Sequence, residues 1–543
     1  MATPKFKVGA FQEASRGADK GGLPVLRQYL RLIVIFLTVL LGFMARPAFP
    51  AGDAEKGEEI YVQRCTLCHG EEGDGMGPAA ERLNPPPRDF TMAQYKIRTT
   101  AFEEIVPVDS DLVRMIHDGM PSTAMPGWGD VLTEQDINDL VAFLKTLAGL
   151  EEEEPGQVID YGVQVPISPE SIETGRKLFH EDDRCSECHG QAGKGDAVKK
   201  LKDDSGYRTW PRNLTKPWTY RASADPKDIY TRISAGIPTT QMPSFADPKS
   251  KKKLSVEERW HVANYVAALA KTGKVVRPEN TVIQASRVEG ELPGSPDDAA
   301  WDLAPPSTFF MVPQIVGKER FFKTANDTVS VRALYNDAKV ALHLEWDDRT
   351  KSIPGDDKAK SIADEDLGED AIAVQLPTTI PAGMEKPYFL MGNSVKPVNL
   401  WRWSSGTTEA PESVAILDAM GINEQEARDA TAAGLTAKGS YKDGTWRVVM
   451  TRPLTTEAVD KDLQFEEGRF VPIAFFAWDG SNSEVGTASA MTTWYWLLLK
   501  PSTGAKPMIA GIIVAILIGG LLFWWGRSAA ARVASEGTSG GDA

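Results

Sequence analysis

Two short segments carry the residues best suited to chemistry: "RCTLCHG" at 64–70 and "RCSECHG" at 184–190. Each sets two cysteines three positions apart, with a histidine directly after the second. In that order and spacing the thiols can add to the two vinyl groups of a haem while the histidine ligates the iron from beneath the ring, the signature of covalent c-type attachment. A redox CxxC pair or half of a zinc site would use the same cysteine spacing. The second copy, with the same flanking Arg and Gly, favours the haem reading over both. The chain has four cysteines and none is left over. Cys65, Cys68, Cys185 and Cys188 are therefore expected to bind two covalent haem c groups, with His69 and His189 on the irons. No thiol remains for an iron-sulfur cluster, a structural disulfide or a cysteine nucleophile.

Such ligands need a scaffold, and an internal duplication supplies one. Residues 52–150 and 167–275 carry the same landmarks in the same order. A short helix, "AEKGEEIYVQ" or "ETGRKLFHED", leads into each CxxCHG. "PRDFT" (87–91) and "PRNLT" (211–215) follow. Then "DLVRMIHDGMPSTAMP" from Asp111 matches "DIYTRISAGIPTTQMP" from Asp228 without a gap. Each copy closes with an amphipathic helix, N-capped by Thr133 or Ser255. Its stripe is Ile137, Leu140, Val141 and Leu144 in one copy and Val262, Tyr265, Val266 and Leu269 in the other. Residues 151–166, opening with "EEEEPG", read as a linker.

Helix, CxxCH, long loop, Met-Pro and terminal helix together resemble class I cytochrome c, here as two all-α domains in tandem. That resemblance implies that Met125 and Met242 are the sixth iron ligands. Met115 and Met120 compete in the first copy and have no counterpart in the second. Arg88 and Arg212 are candidates to pair with haem propionates, and equally to be solvated side chains.

The ends of the chain point to export and anchoring. Basic residues, an apolar run from Leu32 to Met44 and small residues near Ala51 form a signal peptide over 1–51. The apolar run 508–525 is just long enough to span a bilayer, with 526–543 as a polar tail. The expected location is the cell membrane, with the bulk of the chain on the periplasmic side. Haem c attachment outside the cytoplasm agrees with this. The net charge of −15 over 543 residues speaks against nucleic acid and against polybasic attachment to anionic lipid.

Between these parts, residues 280–503 change to short alternating runs with turn signals at Asn336-Asp337 and Asp443-Gly444, the pattern of an all-β sandwich. "PYFLMGNSVKPVNLWRW" (387–403) and "FVPIAFFAWDGSNSEVGTASAMTTWYWLLL" (470–499) resemble the haem-binding γ subunit of ethylbenzene dehydrogenase and its relatives. In that family a non-covalent haem b sits between a Met and a Lys. Met391 matches the Met, whereas the Lys position falls near Ser489. The resemblance thus leaves two outcomes: a third haem, a haem b with Met491 or another neighbour in place of the lysine, or a sandwich that has become a docking module.

The arrangement as a whole resembles candidate γ subunits of nitrite oxidoreductase. It implies a non-catalytic electron-transfer subunit, working with a molybdenum-containing catalytic subunit, an iron-sulfur subunit and a soluble or membrane redox partner. A stand-alone multihaem oxidoreductase and a cytochrome with a ligand-binding sandwich are the alternatives. No phosphate loop, nucleophile elbow or dinucleotide fingerprint appears in a supporting context.

Overall fold

The computed structural model of the chain describes residues 52–104, 106–196, 199–272, 282–317, 320–363, 366–383, 385–501 and 506–537. The signal peptide expected over 1–51 lies outside them.

The first repeat forms α1 (Ala54–Arg64), α2 (Thr66–His69), α3 (Asp109–Asp118) and α4 (Glu134–Leu147). The second forms α5 (Pro169–His180), α6 (Ser186–His189), α7 (Pro226–Ala235) and α8 (Val256–Thr272). Polar side chains satisfy amides that a helix start would leave unpaired. Asp53 accepts from the Glu55 and Lys56 amides, and Ser168 from Ser171. Thr133 with Asp136, and Ser255 with Glu258, exchange reciprocal cap bonds. First and last helices meet at a glycine in each repeat. A Cβ on Gly57 would stand 2.0 Å from the Asp139 carbonyl oxygen, and one on Gly175 2.0 Å from that of His261. This close crossing brings the two apolar stripes together. Ile137, Leu140, Val141 and Leu144 pack with Tyr61, Leu112 and Ile116, and Val262, Tyr265 and Val266 with Phe179, Tyr230 and Trp260. Each buried Leu, Ile or Val contributes about 1.5–3 kcal/mol.

Two features depart from the sequence reading. The second repeat is not purely helical, since β1 (Leu201–Lys202) and β2 (Arg208–Thr209) form a small antiparallel hairpin. Nor is 151–166 a free spacer. The Ala101 amide donates to the Gln157 carbonyl at 2.8 Å and the Ile159 amide to Thr99 at 3.0 Å, while Ile159 enters the core of the second repeat. The four glutamates mask an apolar pair, Val158-Ile159, which finds an extended partner at 99–101.

The β-region contains β3 (Val282–Arg287), β4 (Ser307–Phe310), β5 (Val312–Pro313), β6 (Thr328–Tyr335), β7 (Lys339–Asp347), β8 (Ala371–Pro377) and β9 (Val398–Ser404). It continues with β10 (Ser413–Ala419), β11 (Gln425–Asp429), β12 (Thr436–Lys442), β13 (Thr445–Pro453), β14 (Phe470–Trp478), β15 (Ala490–Met491) and β16 (Tyr495–Leu499). A short helix α9 (Asp357–Ile362) lies between β7 and β8. The strands form a single 14-stranded hydrogen-bonded sheet in which eleven strands run β11-β10-β9-β8-β14-β16-β3-β6-β7-β13-β12, with β4 paired to β6, β15 to β14 and β5 to β15. Two separate sheets would be expected of a simple sandwich. Here β16 links both halves, antiparallel to β14 and parallel to β3. Val331, Leu342 and Leu344 from one half share a buried cluster with Ile372, Val374 and Phe475 from the other. The turn at Asp443-Gly444 has both residues at positive φ, 49° and 68°, which matches the twist of the flanking strands.

The final helix, α10 (Lys506–Gly537), contains Gly511–Arg532, long and apolar enough to cross a membrane and not buried in the molecule. It runs past the expected end at 525, because Ala529, Ala530 and Ala531 favour continuation of the helix.

Candidate functional site

At each CxxCH a single helical turn groups the reactive side chains. Cys68 and His69 donate backbone bonds to the Cys65 carbonyl at 3.1 and 2.8 Å, and Cys188 and His189 do the same to Cys185 at 3.1 and 2.9 Å. The turn stops at Gly70 and Gly190, with φ of 79° and 76°. That left-handed backbone strains any residue with a Cβ, which would also crowd the Asp74 or Asp196 carboxylate, so glycine is favoured after each histidine.

The histidines are then oriented by backbone. His69 Nδ1 lies 3.0 Å from the Arg88 carbonyl oxygen and His189 Nδ1 2.9 Å from that of Arg212. A carbonyl can only accept, so Nδ1 carries the proton and the Nε2 lone pair is left for a metal. Burial lowers both imidazole pKa values, which keeps the rings neutral. Phe90 stacks on His69 at 4.6 Å.

The two methionine loops are superimposable in their bonding. Met120 donates to the Met125 carbonyl at 3.1 Å, and Met125 donates to Thr123 Oγ1 at 3.1 Å. Ile237, Met242 and Thr240 repeat the pattern at 3.1 and 3.2 Å. Ser122 and Thr239 occupy matching positions with φ of 55° and 64°. Non-glycine residues adopt this conformation at a cost, and its recurrence marks the same constrained loop in both repeats.

One continuous cavity of about 2070 Å³ is lined by Cys65, Cys68, His69 and Met125, and also by Cys185, Cys188, His189 and Met242. Met115 and Met120 reach the same lining. Arg88, Arg212 and Arg221 also face it and form no ion pair among the described residues. Burial depresses all three guanidinium pKa values, that of Arg212 to about 9 with Arg221 and Arg349 nearby. Arg212 Nη1 donates to Ser122 Oγ of the other repeat at 3.1 Å, and Arg221 Nε has no partner. Paired cysteines, neutral imidazoles with a free nitrogen, thioethers and cations without an ion-pair partner among the described residues together fit a haem with anionic propionates. The sequence reading did not single out Arg221. Its signal was an aromatic-basic pair, Tyr95-Lys96 and Tyr220-Arg221, after each Pro-Arg segment.

Charge pairs join the parts around this cavity. Lys96 meets Asp203 at 3.0 Å, and Arg114 holds Asp228 with two bonds of 2.6 Å. Lys216 reaches from the second repeat to Asp327 at 2.7 Å and Asp347 at 3.0 Å in the β-region. Burial alone would lower the Lys216 pKa, but the two carboxylates hold it above its ordinary value. Burial would likewise raise Asp347, and Lys216 with Lys194 brings it down to about 2.

Met391 lies elsewhere. It is buried at φ 60° in a cluster with Leu390, Phe476, Trp478, Met491 and Trp494. The structure therefore brings Met391 and Met491 into one apolar cluster, and Ser489, beside them in sequence, is fully buried with an unpartnered hydroxyl.

Comparison with known proteins divides the chain along the same lines. The ethylbenzene dehydrogenase family model matches residues 298–435 and 422–490. The model of cytochrome C oxidase, cbb3-type, subunit III matches 52–144, and that of cytochrome c matches 172–270. A respiratory nitrate reductase heme subunit of Haloferax mediterranei is 27% identical over 42% of this chain and 77% of its own length. The chlorate reductase subunit gamma of Ideonella dechloratans is 27% identical over 44% of this chain and 96% of its own. Cytochrome c55X of Stutzerimonas stutzeri is 33% identical over 20% of this chain and 83% of its own.

Proposed function

We propose, for a chain that belongs to the cytochrome c family and carries an ethylbenzene dehydrogenase-type domain behind two cytochrome c domains, that it is the electron-transfer subunit of a molybdenum-containing respiratory oxidoreductase. The observation that carries this reading is the single cavity into which both CxxCH turns and both methionine loops open.

Bound haem c supplies one-electron exchange at iron. The residues around it do the rest. Cys65 with Cys68, and Cys185 with Cys188, hold two haems by thioether bonds. His69 and His189, fixed as Nδ1–H tautomers, would offer Nε2 to the irons, and Met125 and Met242 would offer sulfur. With both held by the protein, each iron would exchange electrons without binding reactant. Thioether ligation and the half-buried arginines would both favour the reduced state and raise the potential. The shared cavity supports electron transfer from one site to the other.

In the β-region, read as a sandwich folded from one sheet, Met391 is the candidate ligand for a third, non-covalent haem b, with Met491 in place of the family lysine. The apolar stretch in α10 anchors the chain in the membrane, and the repeats and β-region work on the periplasmic side. The partner chains are the molybdenum-containing catalytic subunit and an iron-sulfur subunit. Relatives named for nitrate and chlorate reduction point to a small oxyanion couple such as nitrite and nitrate.

Gentle solubilisation from native membranes tests this. The chain should migrate with molybdenum and with non-haem iron, and pyridine haemochrome spectra should give two c haems plus one b haem. A chain recovered alone and active on nitrite would replace the relay with the enzyme reading; two c haems without b would remove the Met391 site only.

A further inference from the structure

We infer that Asp348, Asp370 and Asp479 form a calcium site in the β-region, beside the haem cavity that Asp348 and Asp479 also line. Asp348 follows β7, Asp370 precedes β8 and Asp479 follows β14, so three separate connections converge on one point. One carboxylate oxygen from each lies within 4.8 Å of the others, and the residues are 2%, 0% and 4% exposed.

The hydrogen bonds leave a specific vacancy in this group. Asp370 Oδ2 accepts from the Ser352 amide at 2.7 Å and Trp446 Nε1 at 2.9 Å, while Oδ1 accepts only from the Gly480 amide at 2.9 Å. Asp479 Oδ1 accepts from the Ser481 amide and hydroxyl at 2.8 and 2.7 Å. Asp348 Oδ1 accepts from the Thr350 amide and hydroxyl at 3.1 and 3.2 Å. Asp348 Oδ2, equally buried, has no partner at all. A buried carboxylate oxygen without a donor costs several kcal/mol, so something must meet it.

No Lys or Arg nitrogen does so. Among the described residues none of the three carboxylates forms an ion pair. Arg349, adjacent in sequence, lies over the Trp210 ring at 5.4 Å. The donors are all oxygen, with no thiolate or imidazole among them, which selects a hard ion. Magnesium dehydrates reluctantly and keeps several of its waters, whereas calcium takes carboxylate oxygens directly in flexible geometry, so a buried site walled by three aspartates suits calcium better than magnesium.

The site also has a structural task. Asp347, next to Asp348, carries the Lys216 pair that docks the second haem repeat, so an ion here would stiffen the docking edge of the sheet. This inference rests on the β-region alone and survives if the electron-transfer reading fails.

The test uses the full-length, haem-loaded chain purified without chelator. Elemental analysis should find one calcium per chain beside the haem iron. EGTA should lower the melting midpoint of the β-region, by roughly 5–10 °C relative to calcium at about a hundred times its dissociation constant. Added calcium should restore the midpoint and magnesium should not. Asp348→Asn should lose the calcium and the EGTA response while keeping both covalent haems on a haem-stained gel. If that variant does not fold, chelation and readdition on the unaltered chain decide the matter. Absence of calcium with an EGTA-indifferent melt overturns the site, as does calcium retained by both Asp348→Asn and Asp479→Asn.

Discussion

Replacing Lys216 by Met should weaken the hold between the second haem repeat and the β-region by roughly 2–3 kcal/mol at neutral pH, because the lysine is buried while Asp327 and Asp347 keep 48% and 24% of their side-chain exposure and water takes over part of its role. An exposed pair would be worth about 0–1 kcal/mol, so burial decides the magnitude. The Lys216 side chain is 8% exposed, and its ammonium lies 2.7 Å from Asp327 and 3.0 Å from Asp347. Asp347 is held at about 2 against an ordinary value of 3.8, which corresponds to roughly 2 kcal/mol of the total. The sign follows from that depression. In the unaltered chain this contribution is present above about pH 3.8 and is lost as pH falls through about 2. In Lys216→Met burial raises the carboxylates instead, so the folded variant takes up protons as pH falls from 7 to 4 and recovers part of its deficit. Urea unfolding of both proteins at pH 7 and pH 4, followed by tryptophan emission, reads both effects. A loss below about 1 kcal/mol that is the same at both pH values would show that the pair is solvated and that the docking argument is wrong.

Four further outcomes follow from the site. Cys65→Ala with Cys68→Ala should remove one of two covalent haems on a stained denaturing gel and leave the other. Thr240→Val deletes the hydroxyl that holds the Met242 amide, so the near-infrared band of His/Met ferric haem should weaken with haem content unchanged. Arg212→Gln removes a half-buried cation from the cavity, and redox titration should find the second c haem lower by tens of millivolts because ferric iron is no longer opposed by that charge. Truncation before Lys506 should move the haem-loaded chain from the membrane fraction to the supernatant.

Much of the site was legible because its chemistry is local. Two thiols and an imidazole must fall within one helical turn, and a repeated Gly-x-Pro-x-x-x-Met-Pro run keeps each thioether in one loop, so spacing alone exposes them. The carbonyls of Arg88 and Arg212 were not legible as the histidine partners, since any residue supplies a carbonyl; only the guanidinium drew notice. Arg221, Lys216 and the three aspartates act across long sequence separations, where pattern carries no distance. Linkers are a similar case. "EEEEPG" is solvated as its charges suggest, yet the residues behind it pair with 99–101 and enter a core. In the β-region, alternation and two turn dipeptides located hairpins, but the β16–β3 link that joins both halves is a parallel pairing between the two ends of the region, beyond the reach of local periodicity.

The most direct test of the relay is rapid-mixing spectroscopy of the native complex. When nitrite or nitrate is supplied to the complex, the c-haem α band should change at least as fast as turnover, and the change should slow in a complex carrying Met242→Ala. If the partner turns over while the c haems keep their redox state, electrons do not pass through this chain and the account is contradicted.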